Sequence, residues 1–258
     1  MHIIIAADRL QIGNWVADHA AQELQRVIAE RGEARLLIAT GSSQFEVLEA
    51  LSGHSEIDWS RVTGFHLDEY IGLSPDHPAS FCGYLRERFV SRVPLKQFHY
   101  LRGDSDPAKT IAAASAAITS HPAQQAPIDV ALVGIGENGH LAFNDPPADF
   151  DCSDPYIIVK LDEACRRQQV GEGWFASMSE VPQQAISMSI QQIMKCAVIF
   201  CTVPDERKAQ AVKNSVEGAV TRDVPASILQ NHPNATLIID RAAASLLSSD
   251  TVQRANAL

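Results

Sequence analysis

The chain has 258 residues, 46% of them hydrophobic and 20% charged, with a formal net charge of −10 at pH 7. That is enough for one large α/β domain or two small ones, with ample apolar content for a core. The acidic balance argues against nucleic acid and anionic membrane as bulk partners, and no apolar run approaches the roughly 20 residues of a membrane span. The opening MHIIIAADRL has too short an apolar stretch for a signal peptide. The cysteines, Cys82, Cys152, Cys165, Cys196 and Cys201, are odd in number and form no C-x-x-C, so reduced thiols and a cytoplasmic location are expected. No H-E-x-x-H or Cys/His cluster calls for a structural metal.

Residues 2–6, HIIIA, read as a first strand. A helix over 8–31 follows, capped by Asp8 and ended by Gly32. Residues 34–39, ARLLIA, are a second buried strand, leading through Thr40, Gly41, Ser42, Ser43 and Gln44 into a helix beginning at Phe45. A small-residue loop between strand and helix presents free backbone N–H groups and hydroxyls, which suits an anion. It equally suits an ordinary capped turn, and it is no Walker A loop.

The third strand, 61–67, ends in Asp68 and Glu69, an acid pair suited to catalysis or to a solvated loop. A helix over Ser80 to Phe89, a strand near Phe98 to Leu101 and a helix from Pro107 to Ser120 come next. Ile128 to Val133 is a buried strand. The reading continues with a strand over Ile157 to Leu161 and an irregular or mobile stretch around Gly171 and Gly173. A short helical piece lies within 184–194 and a strand over 196–203. A helix opened by Pro204 and running to Val216 carries Lys208 in its first turn. A last strand spans 235–239 and a last helix 240–248. Alternating strands and helices predict a doubly wound, mostly parallel α/β sheet with helices on both faces. One domain over 1–258 is the simplest reading, with room for a lid or subdomain within 140–185.

The stretch 134–147, GIGENGHLAFNDPP, stands at the carboxyl end of the 128–133 strand, where open α/β sheets bind ligands. It brings His140 and Asp145 close in sequence, with Glu137 and Asn138 just before. An imidazole held near a carboxylate is equipment for proton transfer. Gly134, Gly136 and Gly139 spell G-x-G-x-x-G, but HLAFNDPP cannot open the helix that a dinucleotide site needs.

Four blocks, IATGSSQ (38–44), FHLDEYIGLSPDHPASF (65–81), GIGENGHLAFNDP (134–146) and KAQAVKNSVEG (208–218), together resemble the glucosamine-6-phosphate deaminase/isomerase family. The match extends into PASILQNHPNATLIID, 225–240. The resemblance implies a Rossmann-like deaminase/isomerase fold and isomerising deamination of glucosamine 6-phosphate to fructose 6-phosphate and ammonia, in amino-sugar catabolism. It implies a phosphorylated amino sugar as partner and no metal or organic cofactor. By resemblance, Asp68 is the carboxylate that moves a proton between C2 and C1, and His140 opens the ring. Thr40, Gly41, Ser42, Ser43 and Lys208 clamp the phosphate, with Glu69 and Gly136 beside the substrate.

The chain departs from the family in two places. The family's acid–His–acid triad has Asp and Glu where this chain has Asn138 and Asp145. Asparagine can fix a tautomer but cannot stabilise an imidazolium by charge, and Asp145 is one methylene shorter than Glu. The family's phosphate arginine precedes a paired aromatic, where Gly173 precedes Trp174 and Phe175 here; Arg166 or Arg167 stand nearby as replacements. The basic residues of the family's allosteric site are not evident, so no activation by N-acetylglucosamine 6-phosphate is expected. The alternatives are a 6-phosphogluconolactonase, which carries Arg at the place of Tyr70, an isomerase of galactosamine 6-phosphate, and a non-catalytic sugar-phosphate sensor. The sequence leaves oligomeric state open.

Overall fold

A computed structural model describes residues 1–119 and 128–258. In chain order the strands are β1 (His2–Ala6), β2 (Ala34–Ile38), β3 (Val62–His66), β4 (Asp68–Tyr70), β5 (Gln97–His99), β6 (Val130–Val133), β7 (Tyr156–Lys160), β8 (Gln184–Met188), β9 (Val198–Val203), β10 (Ala235–Asp240) and β11 (Asn256–Ala257). The α-helices are α1 (Arg9–Arg31), α2 (Phe45–Ser52), α3 (Phe81–Leu85), α4 (Pro107–Thr119), α5 (Glu163–Gly171), α6 (Ile190–Ile193), α7 (Ala209–Glu217) and α8 (Ser249–Arg254).

Eight strands form one sheet in the order β11-β1-β10-β9-β6-β2-β3-β5, and every pairing in it is parallel. Alternation along each strand feeds two cores. Leu37, Ala131, Val133, Leu237 and Ile239 face one, while Leu36, Ile38, Val130, Leu132 and Ile238 face the other. A sheet buried on both faces explains why its strands read as unbroken apolar runs. Helix α1 begins at Asp8, whose side chain accepts from the Gln11 N–H, and ends at Gly32, which turns left-handed at φ 82°.

Strand order reverses between β2 and β6: β3 and β5 lie beyond β2, whereas β9, β10 and β1 lie beyond β6. Diverging connections at such a switch point leave a crevice above the carboxyl ends. The register pairs Ile38 with both His66 and Leu132, and Val133 with Cys201. The loops after β2, β3, β6 and β9 therefore start at one level and open into one crevice.

The structure corrects several sequence readings. Asp68 and Glu69 are not in a loop: β4 belongs to a second, three-stranded sheet in the order β4-β8-β7, antiparallel throughout. The short helical piece within 184–194 is Ile190–Ile193, and the residues before it, Gln184–Met188, are the central strand of this second sheet. No helix spans 240–248; Asp240 ends β10 and accepts from the N–H groups of Ala243 and Asp205, stabilising turns instead. Pro204 lies before the helical segment, which begins with a 3-10 turn, Glu206–Lys208, capped by Asp205. Helix α4 is described to Thr119; Ser120 lies outside the described residues. Among the described residues no helix is long and apolar enough to cross a membrane.

Candidate active site

The crevice is lined by the loop Thr40–Ser43, by Asp68, by Gly134–Gly136 and His140, by Pro204–Lys208 except Glu206, by Arg9, and by Gln168, Gln169 and Glu172 from the α5 segment. The β2 loop is held from beneath. The Gln44 amide donates to the Val133 carbonyl at 3.1 Å and to Thr202 Oγ1 at 2.6 Å. Tyr84 OH donates to the Gly41 carbonyl at 2.9 Å. The loop's hydroxyls and N–H groups are thereby fixed on the adjoining strands.

The β6 loop folds back on itself. Gly136 N–H donates to the His140 carbonyl at 3.0 Å. A Cβ on Gly136 would stand 2.1 Å from His140 Cε1, so only glycine lets the imidazole lie across it. Gly139, at φ 84°, makes the turn that aims His140 inward. His140 Nδ1 is 3.1 Å from Asp145 Oδ1. Asn138 Nδ2 donates to Asp145 Oδ1 and to Asp162 Oδ2, both at 3.0 Å, and its Oδ1 accepts from the His140 N–H at 3.1 Å. Burial pushes the Asp145 carboxyl up, but the bonds from His140, Asn138 and the Asp162 N–H outweigh it and hold the group below its ordinary value.

Asp68 and Glu69 point to opposite faces of β4, as neighbours on a strand must. Asp68 faces the crevice, and burial, reinforced by the charge of Glu69, raises its carboxyl well above the ordinary value. Glu69 does not line the crevice. Its carboxylate accepts from the N–H groups of Tyr70, Phe81 and Cys82 and from Ser80 Oγ, tying β4 to the start of α3. Tyr70 is buried among Phe81, Phe143 and Phe175, behind the crevice wall.

Lys208 is buried, and desolvation lowers its ammonium despite Glu172, whose Oε1 is 3.6 Å away. Gln168 and Trp174 also donate to Glu172, holding it in place. Arg207 is half-exposed and paired with Asp205, and Arg9 pairs with Glu46 and donates to the Ser42 carbonyl.

Arg166 and Arg167 do not reach the crevice. Arg166 donates to the carbonyls of Met178 and Val181, and Arg167 pairs with Glu163 on the outer face of α5. Arg9 and Arg207 are the arginines that line it. Neither stood out in the sequence, although Arg207 adjoins Lys208 and Arg9 follows the first strand's carboxyl end. Asn138 and Asp145 stand behind His140, outside the crevice lining. His66 is a core histidine: its Nδ1 accepts from the Leu101 N–H, and burial lowers the imidazole to about 3.

One trio of metal-type ligand atoms comes together among the described residues: those of His140, Asp145 and Cys165, all within 4.8 Å of one another. Both Asp145 oxygens already accept hydrogen bonds. Burial raises the Cys165 thiol, against the thiolate a metal needs.

Fold and site define a class: an α/β enzyme with a buried carboxyl and an acid-paired imidazole facing a crevice whose rim carries cations and a strand-to-helix loop. The sequence profile of glucosamine-6-phosphate isomerases/6-phosphogluconolactonase matches residues 7–238, and the chain belongs to that family. It is 38% identical over 247 residues to a glucosamine-6-phosphate deaminase of Lactobacillus delbrueckii subsp. bulgaricus, covering 96% of this chain and 100% of the relative. It is 39% identical to one of Oenococcus oeni, over 93% and 99% of the two chains. Among solved structures, a monomeric glucosamine-6-phosphate deaminase superposes with a TM-score of 0.85 at 29% identity, over 95% of this chain and 100% of that one. A 6-phosphogluconolactonase of Trypanosoma brucei shares the fold, with a TM-score of 0.78 at 14% identity, over 96% and 98%.

Proposed function

We propose that the chain catalyses the isomerising deamination of glucosamine 6-phosphate to fructose 6-phosphate and ammonia, the activity its relatives are named for. The observation that carries this reading is that Asp68 and His140 face one crevice whose rim holds Lys208, Arg207, Arg9 and the Thr40–Ser43 loop. Each step is a proton transfer or an addition of water, for which side chains suffice. His140 moves the proton of the C1 hydroxyl to the ring oxygen, opening the ring to the aldehyde. Asp68 takes the proton from C2 and returns it to C1, while one proton of the substrate's ammonium passes to the C1 oxygen, leaving a protonated imine at C2 and a hydroxyl at C1. Water adds there and ammonia leaves.

The phosphate is held by the N–H groups and hydroxyls of Ser42 and Ser43 and by Lys208, with Arg207 and Arg9 in place of Arg166 and Arg167. Its binding energy orients the reacting end of the sugar. Asp68 must be ionised to act as base, and the substrate's ammonium group draws its raised carboxyl down on binding. Segment 163–175 contributes Gln168, Gln169 and Glu172 to the wall and forms a cover over the sugar; protection of this segment from protease by sugar phosphate checks that role.

The deciding experiment is ammonia release from glucosamine 6-phosphate by the wild type beside Asp68→Asn, with galactosamine 6-phosphate and 6-phosphogluconolactone as competing substrates. Release lost in Asp68→Asn supports the reading. Preferred turnover of the galactosamine ester or the lactone overturns it, and thermal stabilisation by sugar phosphate without any turnover favours a sensor.

A further inference from the structure

We propose that Asp162 is a positioning residue for the His140–Asp145 pair, supplying from the start of α5 the second negative charge that position 138 does not carry. This rests on the deaminase reading above. An asparagine amide has two N–H donors, and Asn138 spends one on Asp145 Oδ1 and the other on Asp162 Oδ2. Its oxygen accepts from the His140 N–H. The amide is thus fixed in one orientation, and all three bonds serve the loop that presents the imidazole.

Asp162 is more than a helix cap. One of its oxygens caps α5 by accepting from the Cys165 N–H, and a serine could do the same. The other is committed to Asn138, and the Asp162 N–H donates to Asp145 Oδ2 at 2.9 Å. Asp145 is thereby gripped on both oxygens, one toward His140 and Asn138 and one toward α5.

The residue type at 138 follows from this arrangement. With Asp162 present, a carboxylate at 138 would meet two carboxylates at hydrogen-bond distance with no proton between them, a repulsive arrangement at this part-buried position. An amide turns the same contacts into two donated bonds. Two carboxylates therefore still serve one imidazole, but the second enters from a residue 24 positions away in sequence. The same bonds join the proton-transfer group to the helix whose later residues wall the crevice.

A charge-relocation cycle on the full chain tests this. Asp162→Ser keeps the cap and removes the charge. It is expected to lower kcat for ammonia release about tenfold with KM changed less than about twofold. Asn138→Asp alone is expected to lower kcat about a hundredfold, because a carboxylate at 138 then faces those of Asp145 and Asp162 and loses both donated bonds. The double variant, Asn138→Asp with Asp162→Ser, moves the charge to 138 and is expected to recover kcat to within about fivefold of wild type. Wild-type kcat in Asp162→Ser, or a double variant as slow as the product of the two singles, overturns the proposal. Asp162→Asn, also a good cap, provides the same reading if the serine variant does not fold. A wild type that releases no ammonia overturns the deaminase reading instead. The cycle is then read from Tm, where rescue of Asn138→Asp by Asp162→Ser supports the coupling and additivity overturns it.

Discussion

The two sides of the crevice are built on different physics. The rim of Thr40–Ser43, Arg9, Arg207 and Lys208 uses backbone N–H groups and cations that each have a carboxylate partner, and Arg9 and Arg207 remain partly exposed. In the proposed function several weak, overlapping attractions would act there on the phosphate. The opposite side is ordered as a chain of contacts from the buried His140 through the part-buried Asp145 and Asn138 to Asp162, with Asp68 desolvated nearby. The proposed function therefore distributes affinity over the rim and concentrates chemistry on the side of His140 and Asp68.

The largest effect should come from Asp68→Asn, which removes the proposed base and is expected to lower kcat about a thousandfold in the ammonia assay. The same substitution should raise Tm near pH 7. Burial lifts the folded-state Asp68 above its ordinary value of 3.8, so the folded protein holds a proton that the unfolded chain has released. The stability due to this group falls as pH rises from the ordinary value through the raised one. A neutral asparagine escapes that loss, and the gain should vanish in acid, below the ordinary value. A wild-type kcat/KM that rises with pH above the usual aspartate range, with the limb absent in the variant, would complete the test.

His140→Gln comes next, with kcat reduced about a hundredfold because ring opening loses its proton carrier. A variant at wild-type rate would mean that ring opening is not His140's task. On the rim the effects should be smaller and should appear in KM. Lys208→Met, which deletes a buried charge, is expected to raise KM about tenfold with kcat little changed. Arg207→Ala, at a half-exposed site, should raise KM only about twofold. Arg167→Ala should leave both constants unchanged, since the side chain sits on the outer face of α5. A large kcat loss in Lys208→Met, or a KM effect in Arg167→Ala, would break the division between the two sides.

The large sheet was legible because its strands are buried on both faces and connected by helices with local start and stop signals. Asp8 and Gly32 bracket α1 in sequence as they do in space. Of the small sheet only the β7 strand was legible; the sheet itself was not, because its pairing joins residues such as Asp68 and Ser187 that lie far apart along the chain. Asp68 was readable as a candidate from its motif, but its strand geometry was not, and with it the turning of Glu69 away from the crevice. Arg166 and Arg167 looked plausible because they lie near the family's arginine in sequence. The turn of α5 that carries them outward is set by which side of the helix packs inward, through Cys165, Gln168 and Gln169.

By itself the sequence determined the class of fold, the switch-point loops and the identity of the acid–imidazole pair. Those depend on apolar runs, caps, glycine turns and contiguous motifs, all of them short-range. Only the tertiary structure decided which cations reach the crevice, which acid of the Asp68–Glu69 pair faces it, and that Asp162 joins Asn138. These are contacts between side chains on separate elements, whose directions are set by strand alternation and helix rotation once the core has packed, and no local pattern in the chain encodes them.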